Sequence, residues 1–207
     1  NGEHMNMGNT HDIDPGAGDT FQSYDLPWAN ASNTPFRLHK RWTHEGGIST
    51  PFIMNWPSNS SEARLLHKPA HIVDIAATIY DVAGAAYPDE LHGNSITPLE
   101  GESFLGVFDG AEFARQAPIC WEHEGNRAVR MGDWKLVSEG NTRWELYNMA
   151  QDRTELNDLS ESESGRVAEM TAVYEEWAAR IGALPWPVGT GGTASPRVGT
   201  MHIHDVG

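Results

Sequence analysis

The sequence predicts an α/β fold, and three observations carry that prediction. A short apolar run, Phe52-Ile53-Met54, stands between Pro51 and Asn55-Trp56-Pro57, as expected of a buried strand in a mainly parallel sheet. From His71 to Ala83 the residues Ile72, Ile75, Ala76, Ile79, Val82 and Ala83 recur at helical spacing, with Gly84 as a stop. Further on, the short runs Ile119–Trp121, Ala128–Arg130, Trp134–Val137 and Trp144–Tyr147 alternate with turns such as Met131-Gly132-Asp133, the pattern of an antiparallel meander.

The remaining segments fill in around these elements. Residues 1–34 are rich in Gly, Asn, Asp and Thr without periodicity and read as a long loop. Within them Asp12-Ile13-Asp14 opens like a calcium loop, but Gly16 and Ser23 stand where oxygen ligands are needed. Pro69 suits the first turn of the helix that follows it. Residues 85–116 are rich in loop-forming residues, among them Pro88, Gly93, Pro98, Gly101 and Gly110. A last helix is predicted from Ser160, with Glu163 at capping-box spacing and Val167, Met170, Tyr174, Trp177 and Ile181 on one face, ended by Gly182. That stripe is a core stripe, expected to pack on the meander. From Pro187 onward the chain reads as a flexible Gly-rich tail.

Composition limits the function. In 207 residues, 39% are hydrophobic and eight are Trp, so a real core is available and general disorder is excluded. A net charge of −15 disfavours binding to nucleic acid or membrane surfaces, which needs a basic face. Only Arg37, His39, Lys40, Arg41 and His44 make a locally basic segment. The single cysteine, Cys120, excludes an internal disulfide and lies in an apolar strand-like run, as a buried residue would. No run approaches ~18 consecutive apolar residues, so no transmembrane helix is predicted. The chain opens Asn-Gly-Glu-His, and an incomplete amino terminus is expected.

Common catalytic signatures fail. His44-Glu45-Gly46-Gly47 and His123-Glu124-Gly125-Asn126 both begin like a zinc-peptidase helix, but each lacks the second His. The Gly189–Gly192 stretch lacks the Lys-Ser/Thr of a phosphate loop, and no Ser-centred nucleophile elbow occurs.

One dense segment remains. The chain contains Asn1-Gly2, Ser32-Asn33-Thr34-Pro35-Phe36-Arg37, Lys40, Glu45-Gly46-Gly47 and Pro51-Phe52-Ile53-Met54-Asn55-Trp56-Pro57. In that order these blocks resemble the type I, formylglycine-dependent sulfatases of the alkaline-phosphatase-like superfamily, arylsulfatases among them. The resemblance continues through His71–Thr78, through Glu122–Val137, and through Trp144–Tyr147, Asp152 and Glu155-Leu156-Asn157, covering roughly residues 1–186. It implies the carboxy-terminal half of such an enzyme. Residues 1–110 would be the end of the catalytic α/β sandwich, 111–186 a small antiparallel subdomain with its terminal helix, and 187–207 the tail.

The family resemblance also implies a chemistry. A formylglycine hydrate attacks the sulfur of an aryl or carbohydrate sulfate ester, the alcohol leaves, and the sulfo-enzyme then releases sulfate. A divalent ion, usually Ca²⁺, is held by oxygen ligands and neutralises the sulfate oxygens. Asn1 matches a metal-binding Asn and Lys40 an active-site Lys that touches the sulfate, a compact point charge suited to a tetrahedral anion. Glu45-Gly46-Gly47 reads as a turn that positions Lys40. Arg37 is expected to contact substrate or to pair with an internal carboxylate. His44 and His123 are expected either to line the pocket mouth or to be hydrogen-bonded structural histidines.

Departures from the family pattern are equally informative. The Cys-x-Pro/Ala-x-Arg signature that yields formylglycine is absent, as are the metal-binding Asp residues. The chain alone is therefore expected to be inactive and to depend on a missing amino-terminal half. The resemblance suggests a periplasmic, secreted or lysosomal setting. Two rival readings are a phosphate or phosphonate ester hydrolase of the same superfamily and a non-catalytic module binding acidic glycans.

Overall fold

At the centre of the molecule four antiparallel strands run in sequence order, β5 Ile119–His123, β6 Asn126–Met131, β7 Trp134–Ser138 and β8 Glu145–Asn148. The computed structural model describes residues 4–8, 11–14, 16–23, 25–59 and 63–188, so the expected Asn1 ligand and most of the expected tail lie outside the described residues. Ahead of the meander come β1 Asn6–Met7 and β2 Thr20–Phe21, then α1 Asp25–Asn33, α2 Glu45–Ile48 and α3 Ile72–Val82. A small hairpin, β3 Glu90–Leu91 with β4 Asn94–Ser95, and a 3₁₀ turn at Leu105–Asp109 follow α3. After the meander, α4 spans Ser164–Ile181.

The meander follows the sequence pattern closely because tight turns fix its register: Met131 pairs with Trp134, and Leu136 pairs with Val129 and Leu146. Alternation then sends successive side chains to opposite faces. On one face Cys120, Val129, Leu136 and Leu146 pack with Met170 and Tyr174 of α4, flanked by Trp134, Trp144 and Trp177. Arg127 covers this layer from above, its guanidinium carbon 4.4 Å from the Trp144 ring centre. Gly182 closes α4 in the left-handed region at φ 73°, as the glycine stop requires. On the other face Ala128, Val137, Tyr147 and Met149 form a second cluster beside Trp121. Burial also fits the Cys120 reading, since it pushes the thiol up to about 12.

Several expectations are corrected. Phe52-Ile53-Met54 is irregular rather than a buried strand, with Ile53 89% exposed. A strand is stable only when a neighbour takes its N–H and C=O groups, and no described strand pairs with it. Residues 1–34 are not all loop: Pro27 stands in the first turn of α1, whose Asn33 donates from Nδ2 to the Ala29 carbonyl at 2.9 Å. The last helix begins at Ser164, not Ser160, because the Asp158 carboxylate takes the Ser160 N–H at 2.9 Å and the Leu146 N–H at 3.0 Å. That ties its entrance to β8 instead of forming the expected capping box.

The third helix is where expected, yet it is turned over. His71 caps it, and Asp74 accepts the His71 N–H at 2.7 Å. Its buried side is Asp74, Ala77 and Thr78, whereas Ile72 is 75% exposed and Ile79 and Val82 also face outward. Polar bonds explain the inversion. Asp74 Oδ1 accepts the Glu102 N–H at 2.8 Å and pairs with Arg115, while Thr78 Oγ1 accepts the Phe104 N–H at 3.1 Å. The loop at Gly101 lies so close to the Val73 carbonyl that a side chain there would collide with it. Leu136→Ala, which hollows the α4 face of the sheet, is expected to cost about 2–5 kcal/mol, read as a lower urea midpoint with unchanged circular dichroism.

Candidate functional site

The second face of the meander is covered by residues 37–49, the segment that carries Lys40 and the Glu-Gly-Gly turn. Lys135 projects from β7 into this layer and is fully buried. A buried ammonium needs partners, and two carboxylates supply them. Lys135 Nζ donates to Glu45 Oε1 at 3.0 Å and lies 2.7 Å from Glu155 Oε1. The other Glu155 oxygen accepts the Glu45 N–H at 2.8 Å, so Glu155 holds both the ammonium and the backbone of the turn. Arg153 closes the cluster, donating from Nη2 to Glu45 Oε2 at 3.2 Å and to Ser49 Oγ at 3.0 Å. The cations outweigh burial at Glu45 and hold its carboxyl below the usual range.

Arg37 anchors the other end of the segment. Its Nη1 donates to the Glu155 carbonyl at 3.0 Å, to Tyr147 Oη at 3.1 Å and, more weakly, to Glu145 Oε2 at 3.4 Å. Tyr147 in turn donates to Glu145 Oε2 at 2.6 Å. Between the anchors the backbone closes on itself, the Gly46 N–H donating to the Arg37 carbonyl at 3.1 Å. A Cβ on Gly46 would run into the carbonyls of Arg37 and Leu38, and one on Gly47 into those of His39 and Trp42. Glycine is required at both positions for this close approach, which gives the Glu-Gly-Gly turn its physical content.

The predicted residues separate clearly. Lys40 is exposed and makes no hydrogen bond or ion pair among the described residues. His123 is exposed at the end of β5, and the turn after it reaches the Lys40 segment. In that turn Glu124 pairs with Arg41 at 3.2 Å, while Asn126 of β6 donates to the Arg41 carbonyl at 3.3 Å. Trp42 fixes the same stretch from the next turn, donating to Glu139 Oε1 at 2.9 Å. Arg37, expected either to contact substrate or to pair with an internal carboxylate, lies 3.4 Å from Glu145 Oε2.

His44 is 1% exposed, which departs from the pocket-mouth alternative. Its Nε2 lies 3.6 Å from Glu145 Oε2, and neither ring nitrogen has a hydrogen-bond partner among the described residues, so it is a buried histidine but not the hydrogen-bonded one expected. It is buried because the anchors on both sides draw the chain onto the sheet. Lys135, Glu145, Glu155 and Arg153 are the participants that motif reading left unassigned. The signal available for Lys135 was a lone lysine inside the strand run Trp134–Val137.

No group of three or more His, Cys, Asp or Glu among the described residues could hold a metal ion. No described helix is long and apolar enough to cross a membrane.

Burial moves two histidines the same way. His44, facing Glu155, Arg37, Lys135 and Glu145, and His71, facing Asp74 and Arg115, are both held below 6.5, chiefly because burial disfavours their charged forms. Unfolding frees them to the ordinary value, so below about 6.5 the unfolded chain binds more protons and the folded state loses stability. Lowering the pH from 7.5 to 5.5 is therefore expected to reduce the urea midpoint, and His44→Gln to flatten that slope. The carboxylates act in a separate window, below about 4.5.

Comparison with known proteins gives a consistent picture. Residues 36–179 match the family described as N-sulphoglucosamine sulphohydrolase, C-terminal. An uncharacterized sulfatase of Schizosaccharomyces pombe is 29% identical over 175 residues, covering 81% of this chain and 32% of that protein. An arylsulfatase of Klebsiella aerogenes is 29% identical over 101 residues, 48% of this chain and 22% of the enzyme. Among solved structures, Ps i-CgsB in complex with k-i-k-neocarrahexaose superposes with a TM-score of 0.60 at 26% identity, over 70% of this chain and 32% of that one. The chain thus spans about a third of the length of the first relatives it matches.

Proposed function

Because the chain belongs to the N-sulphoglucosamine sulphohydrolase C-terminal family, we propose that it is the carboxy-terminal part of a sulfate-ester hydrolase in which Lys40 binds the sulfate group. The observation that carries this reading is an exposed ammonium, unpartnered among the described residues, on a segment fixed at both ends to a buried ion cluster. An ammonium free of internal carboxylates is available to an external oxyanion, and a fixed backbone lowers the cost of presenting it. His123, on the turn beside the Lys40 segment, would touch the alcohol part of the ester, an aryl or carbohydrate group. The oligosaccharide held by the similar Ps i-CgsB supports a carbohydrate. Arg37 and His44 would act indirectly, by seating the segment.

Other functions of the whole enzyme are assigned elsewhere than the described residues. Cys120 is buried with its thiol pushed up to about 12, so it does not supply the nucleophile. A divalent ion such as Ca²⁺ would find no cluster of three or more His, Cys, Asp or Glu ligands among the described residues. Asn1 would contribute at most a single amide oxygen to such an ion. An amino-terminal portion of the same protein is the proposed partner. Its apolar surface would cover the outward Ile72, Ile79 and Val82 of α3 together with Phe52 and Ile53. In this arrangement residues 1–110 belong to the catalytic α/β sandwich and 111–186 to the antiparallel subdomain.

In the complete polypeptide, Lys40→Ala is expected to lower kcat/KM for 4-nitrophenyl sulfate by about 10–100-fold, the loss of one charged hydrogen bond. An unchanged value removes Lys40 from the site, and faster turnover of 4-nitrophenyl phosphate would favour the phosphoesterase reading. The isolated 207-residue chain is expected to release no 4-nitrophenol above buffer from the same sulfate ester.

A further inference from the structure

Lys40 sits in a backbone that its own residues do not favour. Leu38 and Arg41, on either side of the His39-Lys40 pair, adopt φ values of 64° and 114°, in the region that L side chains avoid. Such a conformation persists only where surrounding structure imposes it. Here the imposing structure is the Glu45–Gly47 turn. The carbonyls of residues 37, 38, 39 and 42 lie against its two glycines, and the turn is fastened to β7 through Glu45.

We propose that Lys135, fully buried in the meander, is a positioning residue that sets the place of the Lys40 ammonium through Glu45 and Glu155. The inference rests on the reading of Lys40 as the sulfate contact. Lys135 holds Glu45 Oε1 directly and Glu155 Oε1 at 2.7 Å, and Glu155 Oε2 holds the Glu45 N–H, so one ammonium fixes both the side chain and the backbone of the turn. Removing it leaves Glu155 with no ion pair among the described residues and Glu45 with the half-exposed Arg153 alone, and the turn moves off the sheet to reach water. The Leu38–Arg41 backbone then relaxes, and Lys40 leaves its place. The fold of the meander does not rest on this contact alone, because its larger apolar cluster, the one under α4, lies on the opposite face of the sheet.

The neighbouring strand residue supplies the control. Lys135 and Leu136 point to opposite faces of β7, so Leu136→Ala weakens the same subdomain without touching the turn. In the complete polypeptide, Lys135→Met is expected to raise KM for 4-nitrophenyl sulfate and Ki for inorganic sulfate in parallel, each about 10-fold, with a smaller change in kcat. Leu136→Ala is expected to lower Tm and leave both constants within about 2-fold. The proposal is overturned if Lys135→Met leaves both constants unchanged, or if Leu136→Ala raises them as far. Should Lys135→Met not fold, Arg153→Ala releases the other Glu45 oxygen from a half-exposed partner; a parallel rise of about 3-fold supports the proposal, and no rise overturns it. Lys40→Ala separates the two claims. If it leaves Ki for sulfate unaltered, the underlying reading falls and the proposal with it. If Lys40→Ala weakens sulfate binding and Lys135→Met does not, only the proposal falls.

Discussion

An ammonium without access to water, held by two carboxylates, is the constraint around which the rest of this molecule is arranged. Lys135 is fully buried between Glu45 and Glu155, residues separated from it by 90 and 20 positions in the chain. Such a cluster adds little net stability, because desolvating three charges offsets most of their attraction. Its contribution is specificity of arrangement. Any packing of the 37–49 segment that fails to bring Glu45 onto Lys135 leaves uncompensated charge in a low-dielectric layer. The apolar layer under α4 makes the subdomain stable, and the polar layer above it decides which loop conformation the subdomain supports.

Legibility in the sequence followed how local each signal was. The meander was readable because short alternating runs and tight turns such as Met131–Asp133 fix register within a few residues. The α4 core stripe was readable for the same reason, and only its entrance was misplaced, by a bond from Asp158 that no helical pattern contains. The misreadings arose where tertiary context decided. The apolar stripe of α3 was real, but Asp74 and Thr78 find partners in the 101–104 loop and Arg115, so the polar side turned inward. Phe52-Ile53-Met54 has the composition of a buried strand, yet a strand is a property of a pair.

The candidate site divides along the same line. Lys40 and the Glu-Gly-Gly turn are singled out in the sequence because the order of the blocks around them resembles the sulfatase pattern. The glycines have a physical reason that no motif states, the carbonyls of residues 37, 38, 39 and 42 pressed against them. For His44 the sequence left open a pocket-mouth contact or a hydrogen-bonded structural histidine. Only the positions of Arg37 and Glu45 on the sheet show that it is drawn inside, with neither ring nitrogen hydrogen-bonded among the described residues. Lys135 could not be singled out beforehand. A lysine in a strand is ordinarily a solvated one, and its carboxylate partners are brought together only by folding.

The pleat of β7 has a consequence for how this architecture tolerates change. Trp134 and Leu136 belong to the oily side and Lys135 and Val137 to the ionic side, with a two-residue turn setting the phase. Adding or deleting one residue at Gly132-Asp133 would exchange the two sides at a stroke, driving the ammonium toward Met170 and Tyr174 and a leucine toward Glu45. Indels should therefore be scarce at this corner and common in the outer loops, which makes the corner a sharp ruler for aligning distant members of the group.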